Sequence, residues 1–155
     1  DFFTNKLVEV QSEKMRSHTP FMPGAYELVK DLQKNGVKTG LVSASPRIIV
    51  DAVLDNVGAE LFPFSISSDD VERTKPHPDA YLKAAQLTNS AIENCLVFED
   101  SLTGVGAATS SGAWLIAVPH LVHVDESERV RVIKSLEQLN FTKVQELYKD
   151  FSIVI

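Results

Sequence analysis

Two adjacent carboxylates, a lysine and a serine are the residues of this sequence that could do chemistry together. Glu99 and Asp100 follow a short apolar run. Lys75 lies in a polar loop, and Ser43 follows an earlier apolar run. Carboxylate oxygens are the ligands that Mg²⁺ prefers, and a phosphoryl group needs a cation on one side and lysine or N–H and O–H donors on the other. The set therefore predicts phosphoryl chemistry assisted by Mg²⁺.

Each of these residues alone has an ordinary explanation. An acid pair is common on a solvated loop, a lysine is usually a surface residue, and a serine can cap a helix. Their occurrence together, in the order hydroxyl, lysine, acid pair, is what favours a site. A receiver domain also places acids, a hydroxyl and a lysine around Mg²⁺, but there the paired acids come first and the lysine last. In this sequence the acid pair comes last.

Strands that alternate with helices must position these side chains. Strands are predicted for five short apolar runs, at residues 37–43, 64–67, 95–99, 114–118 and 130–133. Helices are predicted around them, at residues 2–16, 23–35, 46–57, 78–87, 102–111 and 142–149. This alternation indicates an α/β fold with a Rossmann-like parallel sheet and helices on both faces. Because ligands bind at the carboxyl ends of such strands, the candidate residues are expected to meet at one edge of the sheet.

The composition excludes several classes of protein. The 155 residues are 44% apolar with a net charge of −6, which is typical of a globular domain and disfavours nucleic acid as a partner. No apolar run approaches the roughly 18 residues of a membrane span. Cys95 is the sole cysteine, which fits a reducing compartment and predicts a cytoplasmic location.

Three segments resemble motifs of the haloacid dehalogenase superfamily, in its phosphatase and β-phosphoglucomutase-like branch. They are VSAS at 42–45, TKPHPDAY at 74–81 and LVFEDSLTGVGAA at 96–108, which match motifs II, III and IV. The resemblance covers nearly the whole chain from about Pro20 to Tyr148. It implies an α/β core at 21–150, preceded by a remnant of a helical cap and its hinge at 1–20 and followed by an apolar tail at 151–155.

The resemblance implies a role for each site residue. Ser43 would bind the transferring phosphoryl group, assisted by the backbone N–H of Ala44. Lys75 would balance the charge on the nucleophile and the phosphate. Glu99 and Asp100 would hold Mg²⁺, directly or through water.

Four neighbouring residues receive supporting or alternative roles. Ser101 is predicted to cap the helix after the acid pair, and Gly104 to allow that helix to pack closely against the sheet. Arg47 and His77 are candidate substrate contacts, although a helix-start role for Arg47 and a turn role for His77 are the ordinary explanations.

The first motif of the family is not recognisable in the sequence. It is an apolar strand ending in Asp-x-Asp-x-Thr or Val, whose first aspartate is the nucleophile and whose second is the general acid/base. Asp1 follows no strand, Asp69 and Asp70 lack the spacing, and Leu102 stands where a second aspartate would be needed. We therefore expect the nucleophile, the central strand and most of the cap to lie outside this chain. An N-terminal segment or another chain would complete the sheet.

These features predict a Mg²⁺-dependent phosphohydrolase that acts on a small phosphorylated metabolite through an aspartyl-phosphate. The 155-residue chain alone is expected to be inactive. Two alternatives remain open: a phosphomutase of the β-phosphoglucomutase type, and a catalytically inactive binding module with the same fold.

Overall fold

The structure, a computed structural model, describes residues 21–152. Within them, helices α1–α5 span Ala25–Lys34, Arg47–Val57, Asp79–Leu87, Leu102–Ser111 and Phe141–Ser152. Strands β1–β5 span Leu41–Val42, Ser65–Ile66, Leu96–Glu99, Trp114–Ala117 and Val130–Val132. Short 3₁₀ turns lie at Ala59–Leu61, Ser68–Asp70, Ile92–Asn94 and Leu136–Gln138. The predicted helix at 2–16 and the cap remnant at 1–20 lie outside the described residues.

The strands form two parallel sheets. β1 pairs with β2, with Leu41 opposite Ser65. The second sheet has the order β3–β4–β5, and its β3–β4 register runs from Leu96 opposite Trp114 to Glu99 opposite Ala117. Parallel strands linked by helices confirm the predicted α/β class.

Helices cover both faces of the three-stranded sheet. The cluster on one face joins β4 to α1 and α5, and its buried members are Leu28, Leu32, Trp114, Ile116, Val118, Leu136 and Val144. The cluster on the other face joins the sheet to α3 and α4, and its buried members are Tyr81, Val97, Ala107, Ala108, Ala113, Leu115 and Val130. Every residue of β4 is buried, as expected for a central strand of a doubly covered parallel sheet.

A groove separates the two sheets. Among residues 21–152, no strand lies between β1 and β3. The space between them has a volume of about 650 Å³, and it is lined by both strands and by apolar side chains such as Leu32, Phe64 and Val144. We call this space the seam groove. That the central strand of the sheet is supplied from elsewhere stays a prediction.

Three element boundaries differ from the prediction. The predicted strand at 37–43 is reduced to Leu41–Val42, because β1 has a pairing partner on one side and the seam groove on the other. The first described helix begins at Ala25 rather than Pro23, because Gly24 precedes it in a left-handed conformation (φ +82°). The last helix continues to Ser152, so it includes the first two residues of the predicted apolar tail. Residues 153–155 lie outside the described part of the chain.

Candidate active site

The candidate residues meet at the carboxyl ends of β1 and β3. Ser43 follows β1 directly, and its backbone N–H donates to the Ile66 carbonyl oxygen at 2.8 Å, which ties it to β2. Glu99 ends β3, and Asp100 follows it. Lys75 reaches the same edge from the loop before α3. The sheet edge therefore brings together the hydroxyl, the lysine and the acid pair that the sequence predicted.

Lys75 spans the seam groove. Its ammonium donates to the Val42 carbonyl oxygen at 3.1 Å and to the Glu99 carboxylate, so it links the end of β1 to the end of β3. The ammonium also lies 4.9 Å from the centre of the Tyr81 ring. Only 6% of the Lys75 side chain is exposed, against 8% for Glu99, so the ion pair is held in a setting that screens charge poorly.

The Glu99 carboxylate is held by three donors. Its Oε1 accepts hydrogen bonds from Lys75 and from the Tyr81 hydroxyl, and its Oε2 accepts one from Ser101 Oγ at 3.2 Å. Burial, together with the negative charge of Glu99, raises the pKa of the Tyr81 hydroxyl far above its usual value. The hydroxyl therefore stays protonated and remains a donor to Glu99.

The start of α4 is shaped to receive this carboxylate. The Gly104 N–H donates to Ser101 Oγ at 3.1 Å, so Ser101 is the N-cap of the helix, as predicted. A Cβ atom at Gly104 would lie 1.9 Å from Glu99 Oε2. The predicted close packing at Gly104 is thus an approach to the Glu99 side chain itself.

The remaining members of the predicted set are more accessible. Asp100 and Ala44 are exposed, and Ser43 is half-buried. The Ser43 Oγ accepts a hydrogen bond from the Ser45 N–H at 3.1 Å, which fixes the turn after β1. Their roles in binding phosphate and metal stay predictions.

Arg47 is engaged in a network of its own. Its guanidinium pairs with Asp70 and donates to Ser65 Oγ at 2.7 Å. Hydrogen bonds from the Ser67 hydroxyl and N–H, followed by the Arg47 guanidinium, lower the pKa of Asp70 to about 2. The network fastens α2 to the end of β2. Substrate contact by Arg47 stays a prediction that would require this guanidinium to exchange partners.

His77 lies on an exposed turn next to Lys75. Its N–H donates to the Thr74 carbonyl oxygen at 3.0 Å, and the Lys75–Pro76 peptide bond between them is cis. Arg73 anchors the far side of this turn by pairing with Asp79 at 2.8 Å, at the first residue of α3. The turn therefore aims Lys75, while a substrate contact by His77 stays a prediction.

Comparison with known proteins defines the family. Residues 3–112 match the family model described as haloacid dehalogenase-like hydrolase. The chain belongs to this hydrolase family. Its Ser43, Lys75 and acid pair thus occupy the matching segments of a haloacid dehalogenase-like core.

Characterised relatives of this haloacid dehalogenase-like chain include phosphatases. It is 34% identical over 128 residues to hexitol phosphatase A of Escherichia coli, covering 79% of this chain and 57% of that protein. It is 36% identical over 117 residues to the bifunctional riboflavin kinase/FMN phosphatase of Arabidopsis thaliana, covering 74% of this chain and 30% of that protein. The chain therefore spans about half or less of the length of these relatives.

Solved structures of the haloacid dehalogenase-like fold match most of the described core. A β-phosphoglucomutase from Clostridium difficile has a TM-score of 0.80 at 28% identity, covering 97% of this chain and 65% of that one. A haloacid dehalogenase family hydrolase from Deinococcus radiodurans, with bound phosphate and sodium, has a TM-score of 0.69 at 31% identity, covering 86% of this chain and 63% of that one. These likenesses confirm the predicted fold class.

The carboxylates at the sheet edge could supply some, but not all, of the ligands of a Mg²⁺ ion. Within residues 21–152, no group of three or more His, Cys, Asp or Glu side chains is arranged to hold a metal ion. Mg²⁺ commonly takes one or two carboxylates and completes its shell with water and substrate phosphate. Glu99 and Asp100 supply two adjacent carboxylates, one held by donors and one exposed.

Within residues 21–152, no helix combines the length and apolar character needed to cross a membrane.

Tyr81 is the site residue that sequence reasoning missed. The pattern places it on the buried face of α3, where a tyrosine is ordinarily a packing residue. The sequence signal that could have indicated its role is its position six residues after Lys75, within TKPHPDAY. The loop and the first turn of α3 bring both residues to Glu99.

Proposed function

We propose that the protein is a Mg²⁺-dependent phosphohydrolase that acts on a small phosphorylated metabolite through an aspartyl-phosphate. The observation that carries this proposal is the buried Lys75 ammonium, which spans the seam groove between the strand of Ser43 and the carboxylate of Glu99. In the proposed reaction, this positive charge would lie beside the phosphoryl group and the attacking carboxylate. The phosphatases among the relatives support the same reaction class.

Each residue at the sheet edge has a distinct part in this reaction. The Ser43 hydroxyl and the Ala44 N–H donate to the phosphoryl oxygens, and Lys75 offsets the negative charge that gathers on phosphate and nucleophile. Glu99 and Asp100 hold the metal, directly or through water. Mg²⁺, when bound, would add positive charge beside the transferring group.

The attacking aspartate comes from a segment outside residues 21–152 or from another chain. A parallel strand placed in the seam groove would pair with β1 on one side and β3 on the other. Its carboxyl end would then lie at the same edge as Lys75, Glu99 and Ser43. An apolar strand suits the lining of the groove, since burial of its side chains would replace contact with water.

A phosphomutase is the second candidate, favoured by the likeness to a β-phosphoglucomutase. Both reactions use the same edge of the sheet and differ in whether water or a second hydroxyl receives the phosphoryl group. The two are distinguished by their products from a panel of sugar and small-acid phosphates. Release of inorganic phosphate would indicate the phosphohydrolase, and an isomerised sugar phosphate would indicate the phosphomutase. An inactive binding module would give neither product.

A cytoplasmic location stays part of this proposal.

Two substitutions in the full-length protein test the site. Lys75→Ala and Asp100→Asn are each expected to lower kcat by about 100-fold or more, because the first removes the positive charge proposed to lie beside the phosphoryl group and the second removes a charged ligand of the proposed metal site. Lys143→Ala and Asp150→Asn on α5 are the matched controls, since both residues are exposed on a helix that carries none of the proposed site residues. Full turnover in the Lys75 and Asp100 variants of an active enzyme would show that the site is misplaced.

A further inference from the structure

We propose that Tyr81 is a positioning residue whose hydroxyl sets the Glu99 carboxylate for metal binding. The inference rests on the proposed function, because it assigns a role within the same site. It concerns the hydroxyl alone and separates it from the packing role of the ring.

The ring and the hydroxyl of Tyr81 have different surroundings. The side chain is 5% exposed, and the ring belongs to the apolar cluster with Val97, Ala107 and Ala108. A phenylalanine would fill that volume equally well. The hydroxyl donates instead to Glu99, on a strand 18 residues further along the chain. Packing therefore accounts for the ring and leaves the hydroxyl to be explained by its contact with Glu99.

The donors around Glu99 decide which part of the carboxylate is left for a metal. An ionised carboxylate offers about four lone-pair directions. Lys75 and Tyr81 donate to the two lone-pair directions of Oε1, and Ser101 donates to one of the two on Oε2. One direction therefore remains, on Oε2, the oxygen on the side of the α4 N-terminus.

Two donors on the same oxygen also restrict rotation of the carboxylate. Lys75 reaches Oε1 from the β1 side of the seam groove, and Tyr81 reaches it from α3. Without the hydroxyl, Lys75 would be the one remaining donor to Oε1 among the described contacts, and the carboxylate could turn more freely about its terminal bond. The acid pair would then lose a fixed geometry, and partners of this kind typically contribute 10- to 100-fold to metal affinity or activity.

The experiment compares Tyr81→Phe with wild type in the full-length protein. Mn²⁺ alone is the binding probe, since it shares the preference for oxygen donors and its binding is followed by electron paramagnetic resonance without turnover. We expect Tyr81→Phe to bind Mn²⁺ about 10-fold more weakly and to need correspondingly more Mg²⁺ for half-maximal turnover. KM for the phosphate substrate at saturating Mg²⁺ should stay unchanged. Tyr26→Phe on α1, outside the site, is the matched control and should behave as wild type.

The outcomes separate this inference from the proposed function. A wild-type protein that neither binds Mn²⁺ nor hydrolyses phosphate monoesters would overturn the function itself. An active wild type with unchanged Mn²⁺ affinity in Tyr81→Phe would overturn the role of the hydroxyl alone. A lowered melting temperature with wild-type Mn²⁺ affinity would likewise overturn it, since the hydroxyl would then stabilise the fold without affecting the metal site. Tyr81→Leu also removes the ring beside the Lys75 ammonium, and we expect it, unlike Tyr81→Phe, to lower kcat even at saturating Mg²⁺.

Discussion

The two sheets on either side of the seam groove are stabilised in different ways. The β3–β4–β5 sheet has strands of three or four residues, a wholly buried centre and apolar clusters on both faces. The β1–β2 sheet has two-residue strands, and its far end is tied to α2 by charged and hydroxyl groups. The β3–β4–β5 sheet is thus held mainly by apolar packing, and we call it the scaffold sheet. The β1–β2 sheet relies more on polar contacts, and we call it the dependent sheet. The site uses both, with the acid pair on the scaffold sheet and Ser43 on the dependent sheet.

The largest expected effect is on the scaffold sheet. Ile116→Ala, at a fully buried position of β4, should lower the free energy of unfolding by about 2–5 kcal/mol, because it leaves a cavity between two packed faces. Leu41→Ala in β1 is the counterpart on the other side and should cost less, since its side chain lines the seam groove. Urea unfolding of both variants measures the difference. Equal costs would contradict the contrast between the sheets.

The next effect lies where α4 meets the acid pair. Gly104→Ala should lower the free energy of unfolding by about 1–3 kcal/mol and weaken Mg²⁺ binding, because the new Cβ would displace the Glu99 carboxylate. Gly106→Ala is the control on the same helix, since its Cβ would meet Pro76 Cβ at an ordinary 3.4 Å. Thermal unfolding and Mn²⁺ titration compare the two. Equal stability and equal Mn²⁺ affinity in the two variants would contradict the predicted clash between a Cβ at position 104 and Glu99.

The dependent sheet should be the one sensitive to acid. The pKa of Asp70 lies at about 2, below the value of 3.8 for an unperturbed carboxyl, so its contribution is complete above about pH 5 and is lost as the pH falls toward 2. Asp70 is part-exposed, and we expect the loss to be about 1–2 kcal/mol. Hydrogen exchange at low pH should therefore release α2 and β2 before β4.

Asp70→Asn is the matched variant for this pH dependence. It should cost stability at neutral pH and flatten the decline between pH 5 and 2, because the group that titrates is gone. An unchanged pH profile in Asp70→Asn would assign the acid sensitivity to other carboxylates.

The smallest expected effect is at the N-cap of α4. Ser101→Ala removes the acceptor for the Gly104 N–H and should cost about 1 kcal/mol. It also removes a donor to Glu99, so Mg²⁺ affinity should fall by less than in Tyr81→Phe. Ser110→Ala, on the exposed side of the same helix, is the control. A larger effect on Mg²⁺ affinity than that of Tyr81→Phe would reverse the ranking of the two donors.

Local patterns predicted the parts of the molecule that depend on local physics. The α/β class followed from alternating apolar runs, and the Ser101 cap and the tight packing at Gly104 followed from residues three apart on one helix. The role of Tyr81 did not follow, because it depends on how α3 crosses β3. The Arg47–Asp70 pair was missed for the same reason, since 23 residues of chain separate its partners. The shortness of β1 was not predicted either, because the length of a strand depends on the strands beside it, which its own residues do not specify.

The seam groove also bears on how the protein behaves when it is handled. Within residues 21–152, β1 and β3 each have an edge that pairs with no strand, and such edges can recruit strands from other molecules. Both edges face the seam groove, so a single inserted strand would pair with both and would protect the protein from self-association. A chain purified without that strand should gain solubility when an apolar peptide ending in aspartate is added in excess, as in strand-donation systems. Light scattering with and without the peptide would follow this protection directly.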